Sequence, residues 1–159
     1  MTDPLTELKV RARLRLNARR AAEPGLRLRD CLVQVAREAG FLHWEQARAV
    51  LGGEVPPGGD RGTFWHAPRC QDLLNPWFAD LAEARRALAA APPGEAVLLP
   101  YRRQYVLAGA DYLRALGLDP RDPAWAAAQH DLVQTGGAAR AALAMKRLRA
   151  MKAAGAQSA

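Results

Sequence analysis

Residues 96–108 read AVLLPYRRQYVLA, and this stretch decides the fold class of the chain. Two β-prone apolar runs, Ala96–Leu99 and Gln104–Ala108, flank the segment Pro100-Tyr101-Arg102-Arg103. Short runs of this kind on either side of a polar turn predict a β-hairpin. The longer patterned segments around it show helical spacing. The predicted fold is therefore mainly α, of the α+β kind, with one small β-hairpin.

The N-terminal part, residues 1–51, is predicted to form a unit of three helices. Helices are expected from Asp3-Pro4 to about Ala21, over Arg27–Ala39 and over His43–Leu51, because each begins or ends at a capping residue. Helix one has two opposite apolar stripes: Leu5, Leu8, Ala12, Leu16 and Val10, Leu14, Ala18, Ala21. A helix that is apolar on two sides is either sandwiched in the fold or offers one face to a partner. A homodimer that pairs through the second stripe is therefore one hypothesis.

A Gly/Pro-rich loop over residues 52–62 separates this unit from a helical body over residues 63–152. Besides the hairpin, the body is predicted to contain a strand at Thr63–His66 and helices from Asn75-Pro76 to Ala91, over Ala110–Leu116, from Asp122-Pro123 to Leu132, and after Gly136-Gly137. Residues 153–159 are predicted to be a flexible tail. We expect the two parts to share one core.

The net charge of +7 is concentrated at the two ends of the chain. Residues 1–30 contain eight Lys or Arg against four Asp or Glu, and residues 132–159 contain five basic residues and no acidic one. Such asymmetry indicates a polyanion or an acidic protein as partner. Codon bias is the competing interpretation, since 20 of the 23 basic residues are arginine. That bias does not explain why the last 28 residues have no acid.

The location predicted from the sequence is the cytoplasm. No run approaches the roughly 20 apolar residues that span a membrane, and Arg11, Arg13 and Arg15 interrupt the place where a secretory signal has its apolar centre. Cys31 and Cys70 are too few for a disulfide framework, and free thiols are the usual state in a reducing compartment.

The segment Ala36-Arg37-Glu38-Ala39-Gly40-Phe41, followed by Trp44, resembles a short helical module of bacterial proteins. This module occurs ahead of ankyrin repeats and in glyoxalase-related proteins, and the resemblance extends from about Leu8 to Leu51. It implies a packing unit without chemistry of its own. The rest of the chain is similar to small bacterial proteins of unassigned activity. A lactose-repressor-type helix-turn-helix is disfavoured, because Leu42 and Gln46 replace the small and apolar residues of that motif.

Basic residues near both termini and in the hairpin are the candidate anion-binding residues. They are Tyr101, Arg102, Arg103, Arg11, Arg15, Arg19, Lys146 and Arg147. Arginine beside tyrosine suits contact with phosphate and stacking on single-stranded nucleic acid, although a solvated turn explains the same pattern. The function favoured by the sequence is a non-enzymatic binding or regulatory protein that contacts nucleic acid or an acidic partner through its basic termini.

His66 and Cys70 are the basis of the alternative function, a small enzyme or ligand-binding domain. Cys70 could act as nucleophile and His66 as base, with Asp72 or Asn75 orienting the imidazole. A structural metal normally needs four ligands in paired short spacings, so we predict no metal. No phosphate-binding glycine loop is present, and we predict no cofactor. The neighbouring aromatic residues are expected to be core rather than pocket: Phe64, Trp65, Trp77 and Phe78.

Overall fold

The computed structural model describes residues 3–134 and 136–158, with side chains through residue 155. Its first three helices are α1 (Pro4–Arg19), α2 (Leu28–Glu38) and α3 (Trp44–Gly52), which confirms the predicted three-helix unit to within one or two residues at most ends. Helix α1 begins as expected, because the Asp3 side chain accepts a hydrogen bond from the Thr6 amide and Pro4 occupies the first helical position.

Only one of the two apolar stripes of α1 is buried. Leu8 and Ala12 are 1% and 0% exposed, and α1 packs on α2, α3 and α7 through this side. Val10 and Leu14 on the other stripe are 42% and 63% exposed. The first stripe therefore belongs to the core, while the second remains open to solvent.

The N-terminal unit contacts the adjoining loop and body where the backbone at Gly40 approaches the backbone at Gly62 and Thr63. The Thr63 amide donates to the Gly40 carbonyl at 2.8 Å, and both glycines have positive φ, +93° and +69°. A Cβ on Gly62 would lie 2.7 Å from the Gly40 oxygen, closer than real Cβ contacts allow. Glycine is therefore required here for the close backbone approach as well as for the left-handed conformation.

The sheet has three antiparallel strands, β1 (Trp77–Phe78), β2 (Val97–Tyr101) and β3 (Gln104–Ala108), in the order β1-β3-β2. The predicted hairpin is confirmed as β2-β3, and Tyr101 pairs with Gln104 so that the turn is reduced to Arg102 and Arg103. Alternate residues face opposite sides, as a pleated strand requires. On one side lie Val97, Leu99, Val106 and Ala108, in the main core, and on the other Leu98, Tyr105 and Leu107, in a smaller cluster under the next helix.

That helix, α4 (Leu81–Ala90), begins five residues later than predicted. Asp80 is its N-cap, since the Asp80 carboxylate accepts from the Glu83 amide. Asn75, the predicted cap, instead accepts from the Gly109 amide at 3.2 Å. Trp77 and Phe78, predicted to be helical, are strand β1 because they pair with the free edge of β3.

Two further predictions in the body are wrong. Thr63–His66 is not a strand but a turn, in which the His66 amide donates to the Thr63 carbonyl at 3.0 Å. The helix predicted to reach Leu132 is only α6 (Ala124–Ala127), because Gln129 and His130 adopt φ of 58° and 54°. The chain then runs beside β2, where the Leu98 amide donates to the His130 carbonyl.

A short 3-10 helix (Pro68–Cys70), α5 (Ala110–Ala115) and α7 (Ala138–Ser158) complete the fold. Helix α7 continues through much of the predicted tail 153–159, of which Ala159 lies outside the described residues. One buried cluster includes residues of both parts, among them Leu8, Val35, Trp125 and Leu143. The fold is thus mainly α with one small β-sheet. Within the described residues, no helix combines the length and apolarity that crossing a membrane would need.

Candidate anion-binding surface

The three arginines of α1 that the sequence nominates are each paired with a glutamate. Arg11 lies 2.9 Å from Glu7, Arg15 lies 2.8 Å from Glu38, and Arg19 lies 2.6 Å from Glu23. The hydrogen bond that Arg15 donates to the Glu38 carboxylate raises the pKa of Arg15. Each pair presents a dipole rather than a net charge, so these positions attract a polyanion less than the sequence suggests.

The two candidates on α7 differ sharply from each other. Lys146 forms an ion pair with Asp122, and that hydrogen bond lowers the pKa of the Asp122 carboxyl group. Arg147 is only 6% exposed. Its guanidinium donates to the backbone carbonyls of Phe64, Leu116 and His66 at 2.9, 2.8 and 2.9 Å. The prediction that Arg147 belongs to an external anion-binding face is therefore wrong. Its side chain is buried and links backbone segments of the body through hydrogen bonds.

The termini do converge, because α1 packs against α7. The five nominated residues near the termini nevertheless do not form a shared cationic face. Four of them are ion-paired, and Arg147 is buried. The remaining candidates lie at the hairpin turn.

Arg102 and Arg103 form the two-residue hairpin turn, which is fixed by the loop beneath it. The Arg102 amide donates to the Gly62 carbonyl at 2.8 Å, and the Arg102 carbonyl accepts from the Arg61 amide at 2.9 Å. Arg103 Nη1 donates to the Gly58 carbonyl at 2.8 Å. Among the described residues, no carboxylate lies within 4.0 Å of either guanidinium. Both arginines are exposed, so their charges face solvent.

Tyr101 is the centre of an aromatic group beside this turn. The ring of His66 lies 4.6 Å from the Tyr101 ring, and Trp77 meets it edge-on at 5.4 Å. The Arg102 guanidinium lies 5.5 Å from the centre of the same ring. Trp77 is 39% exposed. We call these four residues, with Arg103, the hairpin patch.

The sequence did not associate Trp77 with the hairpin, because helical spacing assigned Trp77 to α4. The signal that could have found it is Asp80, a second N-cap candidate that would leave Trp77 and Phe78 outside the helix. The sequence also placed His66 in an isolated strand, whereas the turn at 63–65 brings it under Tyr101.

The protonation of His66 follows from its partners. The Tyr112 hydroxyl donates to the Trp65 carbonyl at 2.8 Å, so it accepts from His66 Nδ1 at 3.1 Å. The imidazole therefore has its proton on Nδ1, and Nε2 is an acceptor. Burial, then the charges of Arg147 and Arg102, lower the pKa of His66, so the ring is neutral at pH 7.

Cys70 lacks the features of an activated nucleophile. The thiol is buried, its sulfur lies 4.0 Å from the Tyr112 carbonyl oxygen, and burial raises its pKa. A catalytic cysteine instead needs a lowered pKa. His66 and Cys70 both contact Tyr112, but no hydrogen bond joins the two within the described part of the chain. Nor do the residues described include a group of three or more His, Cys, Asp or Glu that could hold a metal ion.

The comparisons with known proteins assign no family to this fold or to this surface. No protein-family model, no curated protein and no solved structure matches the chain.

Proposed function

We propose that this chain is a non-enzymatic binding protein whose hairpin patch contacts single-stranded nucleic acid. The observation that supports this most is the placement of Arg102, without a carboxylate partner, 5.5 Å from the centre of the Tyr101 ring, which the exposed Trp77 ring meets edge-on. The contact is thus shifted from the nominated terminal residues, four of which pair with glutamates or Asp122, to the turn of the sheet.

The chemistry of the patch favours a nucleic acid over an acidic protein. Bases stack on aromatic rings whatever their sequence, and arginines beside those rings take the phosphates. Trp77 and Tyr101 supply the rings, and Arg102 and Arg103 supply the cations. His66 adds an acceptor at Nε2 rather than a charge, which suits an exocyclic amino group of a base.

A cytoplasmic location accompanies this proposal. Cys31 and Cys70 are both free and buried, which suits a reducing compartment. An enzymatic role for His66 and Cys70 is less supported, since burial keeps the thiol protonated near neutral pH.

The experiment is fluorescence anisotropy with a labelled oligothymidylate of about 12 nucleotides, titrated from about 50 to 200 mM salt. Two phosphates neutralised on a single strand give a slope of log K against log salt near −1.4. R102Q/R103Q should lower the affinity at least about tenfold and flatten that slope. R13Q/R20Q is the matched control, because it removes the same charge from two exposed arginines, one in α1 and one at its C-cap, that have no carboxylate partner.

A second variant separates base stacking from charge. W77A should lower oligothymidylate affinity between about fivefold and a hundredfold, since one stacked base contributes about 1–3 kcal/mol. The same variant should leave the binding of inorganic polyphosphate unchanged, because that polymer has no bases. No association at about 50 mM salt, or an equal loss in R13Q/R20Q, contradicts the proposal.

A further inference from the structure

A cavity of about 300 Å³ lies between the start of α1, the end of α3, strand β2 and α7. Its apolar wall consists of Val50, Leu51, Trp65, Pro100 and Leu132, with Ala141 and Ala144 from α7. Ligand pockets of proteins begin at about this volume, so the cavity suits a small molecule. None of the nominated anion-binding residues lines it.

Arg61 is the feature of this cavity that points to a ligand. The side chain is only 9% exposed, and no carboxylate of the described residues lies within 4.0 Å of it. Its Nη1 donates to the Tyr105 hydroxyl at 3.2 Å and to the Gly59 carbonyl at 3.5 Å, and the guanidinium lies 5.6 Å from the Tyr105 ring centre. These neutral partners orient the guanidinium but do not balance its charge.

The remaining N–H groups of Arg61, on Nε and Nη2, have no partner among the described residues. No fully buried side-chain nitrogen or oxygen in that part of the chain is unpaired. These donors are therefore not fully buried, and Arg61 is one of the residues that line the cavity. A buried charge is normally paired, so a cation kept in this position favours an anion that enters from outside.

Arg140 adds a second positive charge to the same cavity. Its three guanidinium nitrogens donate to the backbone carbonyls of Asp131, Gly136 and Ala128 at 2.9, 3.3 and 2.7 Å. Asp3 is the acidic residue among the described lining, and both of its carboxylate oxygens accept hydrogen bonds from Thr6 at the α1 cap. The described lining thus has an excess of one positive charge.

We infer that this cavity binds a small organic carboxylate with a hydrocarbon body. The carboxylate accepts from the free N–H groups of Arg61, whose planar fork matches two carboxylate oxygens. The hydrocarbon part packs on Trp65, Leu51 and Leu132. One negative charge matches the excess of one positive charge, and a monoanion is less costly to desolvate than a phosphate dianion. This site shares no residue with the hairpin patch, although the Arg61 amide donates to the Arg102 carbonyl.

Octanoate and its neutral analogue octanamide are the probes, followed by chemical shifts of the full-length protein. Octanoate should saturate and shift the Trp65 indole and the amides of Gly136 and Gly137, whereas octanamide should bind at least about tenfold more weakly. Inorganic phosphate should produce no saturable shift at these groups. The comparison of the two octanoyl probes uses the unmodified protein, so it does not depend on a variant that folds.

Two variants test the assigned contacts. R61M should weaken octanoate at least about tenfold and leave octanamide unaffected, while A141L should weaken both probes by filling the cavity. R121M is the matched control for lost charge, because Arg121 is exposed and does not line the cavity. Equal affinity for the two octanoyl probes, equal losses in R61M and R121M, or no saturation by octanoate up to about 10 mM would overturn the inference.

Discussion

Three arginines of helix α1 and two arginines of the body have partners of opposite kinds. On α1, Arg11, Arg15 and Arg19 donate to glutamates near the surface. In the body, Arg147 and Arg140 donate to backbone carbonyls. A carboxylate satisfies the guanidinium and cancels its charge, whereas a carbonyl satisfies the hydrogen bonds and leaves the charge in place. The number of arginines in a segment therefore does not by itself give the positive charge that remains uncompensated there.

This difference changes how the net charge of +7 is interpreted. Five of the cations that lack a carboxylate partner among the described residues are Arg61, Arg102, Arg103, Arg140 and Arg147. Arg147 is enclosed, two lie in the hairpin patch, and two line the cavity. Both proposed ligands are anions for this reason, one a polymer outside the body and the other a small molecule inside it.

The largest effect is expected from replacing Arg147. R147M leaves three backbone carbonyls without their donor inside the body, so it should lower the free energy of unfolding by about 3 kcal/mol. R15M, the matched substitution on α1, should cost less than about 1 kcal/mol, because a half-exposed ion pair contributes little. Urea denaturation measures both. Equal losses of unfolding free energy in R147M and R15M would contradict the contrast between these two sets of arginines.

The next effect concerns the glutamates that pair with the α1 arginines. E7Q/E23Q/E38Q should raise oligothymidylate affinity about threefold to tenfold, because it uncovers the three arginines they neutralise. The matched control is E54Q/E83Q/E95Q, which changes the net charge equally but breaks no ion pair among the described residues. If both triple variants gain the same affinity, total charge rather than local pairing governs binding.

A smaller effect is expected from pH at the hairpin patch. The folded-state pKa of His66 lies below its ordinary value, so the unfolded chain takes up this proton first as the pH falls. The contribution of neutral His66 to the stability of the fold is complete above about pH 7. It is lost as the pH falls through the pKa of His66 in the unfolded chain, near 6.5. The thermal midpoint should therefore drop more between pH 7.5 and 5.5 in the unmodified protein than in H66Q. An identical drop in both would remove His66 as the cause.

The smallest effect is expected on the open stripe of α1. L14S should change the free energy of unfolding by no more than about 0.5 kcal/mol, since Leu14 is 63% exposed. L8A on the buried stripe should cost about 3 kcal/mol. Light scattering on the same samples tests the homodimer hypothesis. A dimer that dissociates in L14S, or a large loss of stability there, would show that the second stripe has a partner.

Much of the fold could be predicted because its signals are local. Asp3-Pro4 starts α1, and the apolar runs on either side of Arg102-Arg103 form the hairpin. Strand β1 could not be predicted in the same way. Asn75 and Asp80 are both good caps, and the choice between them depends on the free edge of β3, which is distant in sequence.

The candidate sites were harder to predict than the fold. Arg147 follows Lys146 in sequence, yet one is enclosed by carbonyls of two other segments and the other is ion-paired at the surface. Arg61 lies in a Gly/Pro-rich loop that suggested only a connection between two parts. No property of that loop indicates that Trp65, α3 and α7 enclose a cavity beside it.

The sequence by itself determined the helical class, the hairpin and the excess of positive charge, because caps, apolar spacing and composition act over a few residues. Only the tertiary structure decided which cations keep an uncompensated charge, since a guanidinium meets its carboxylate or carbonyl partner through contacts between distant segments. Arg15 meets Glu38 across 23 positions and Arg147 meets Phe64 across 83. Whether an arginine presents its positive charge to a ligand therefore depends on whether its hydrogen-bond partner is a carboxylate or a carbonyl.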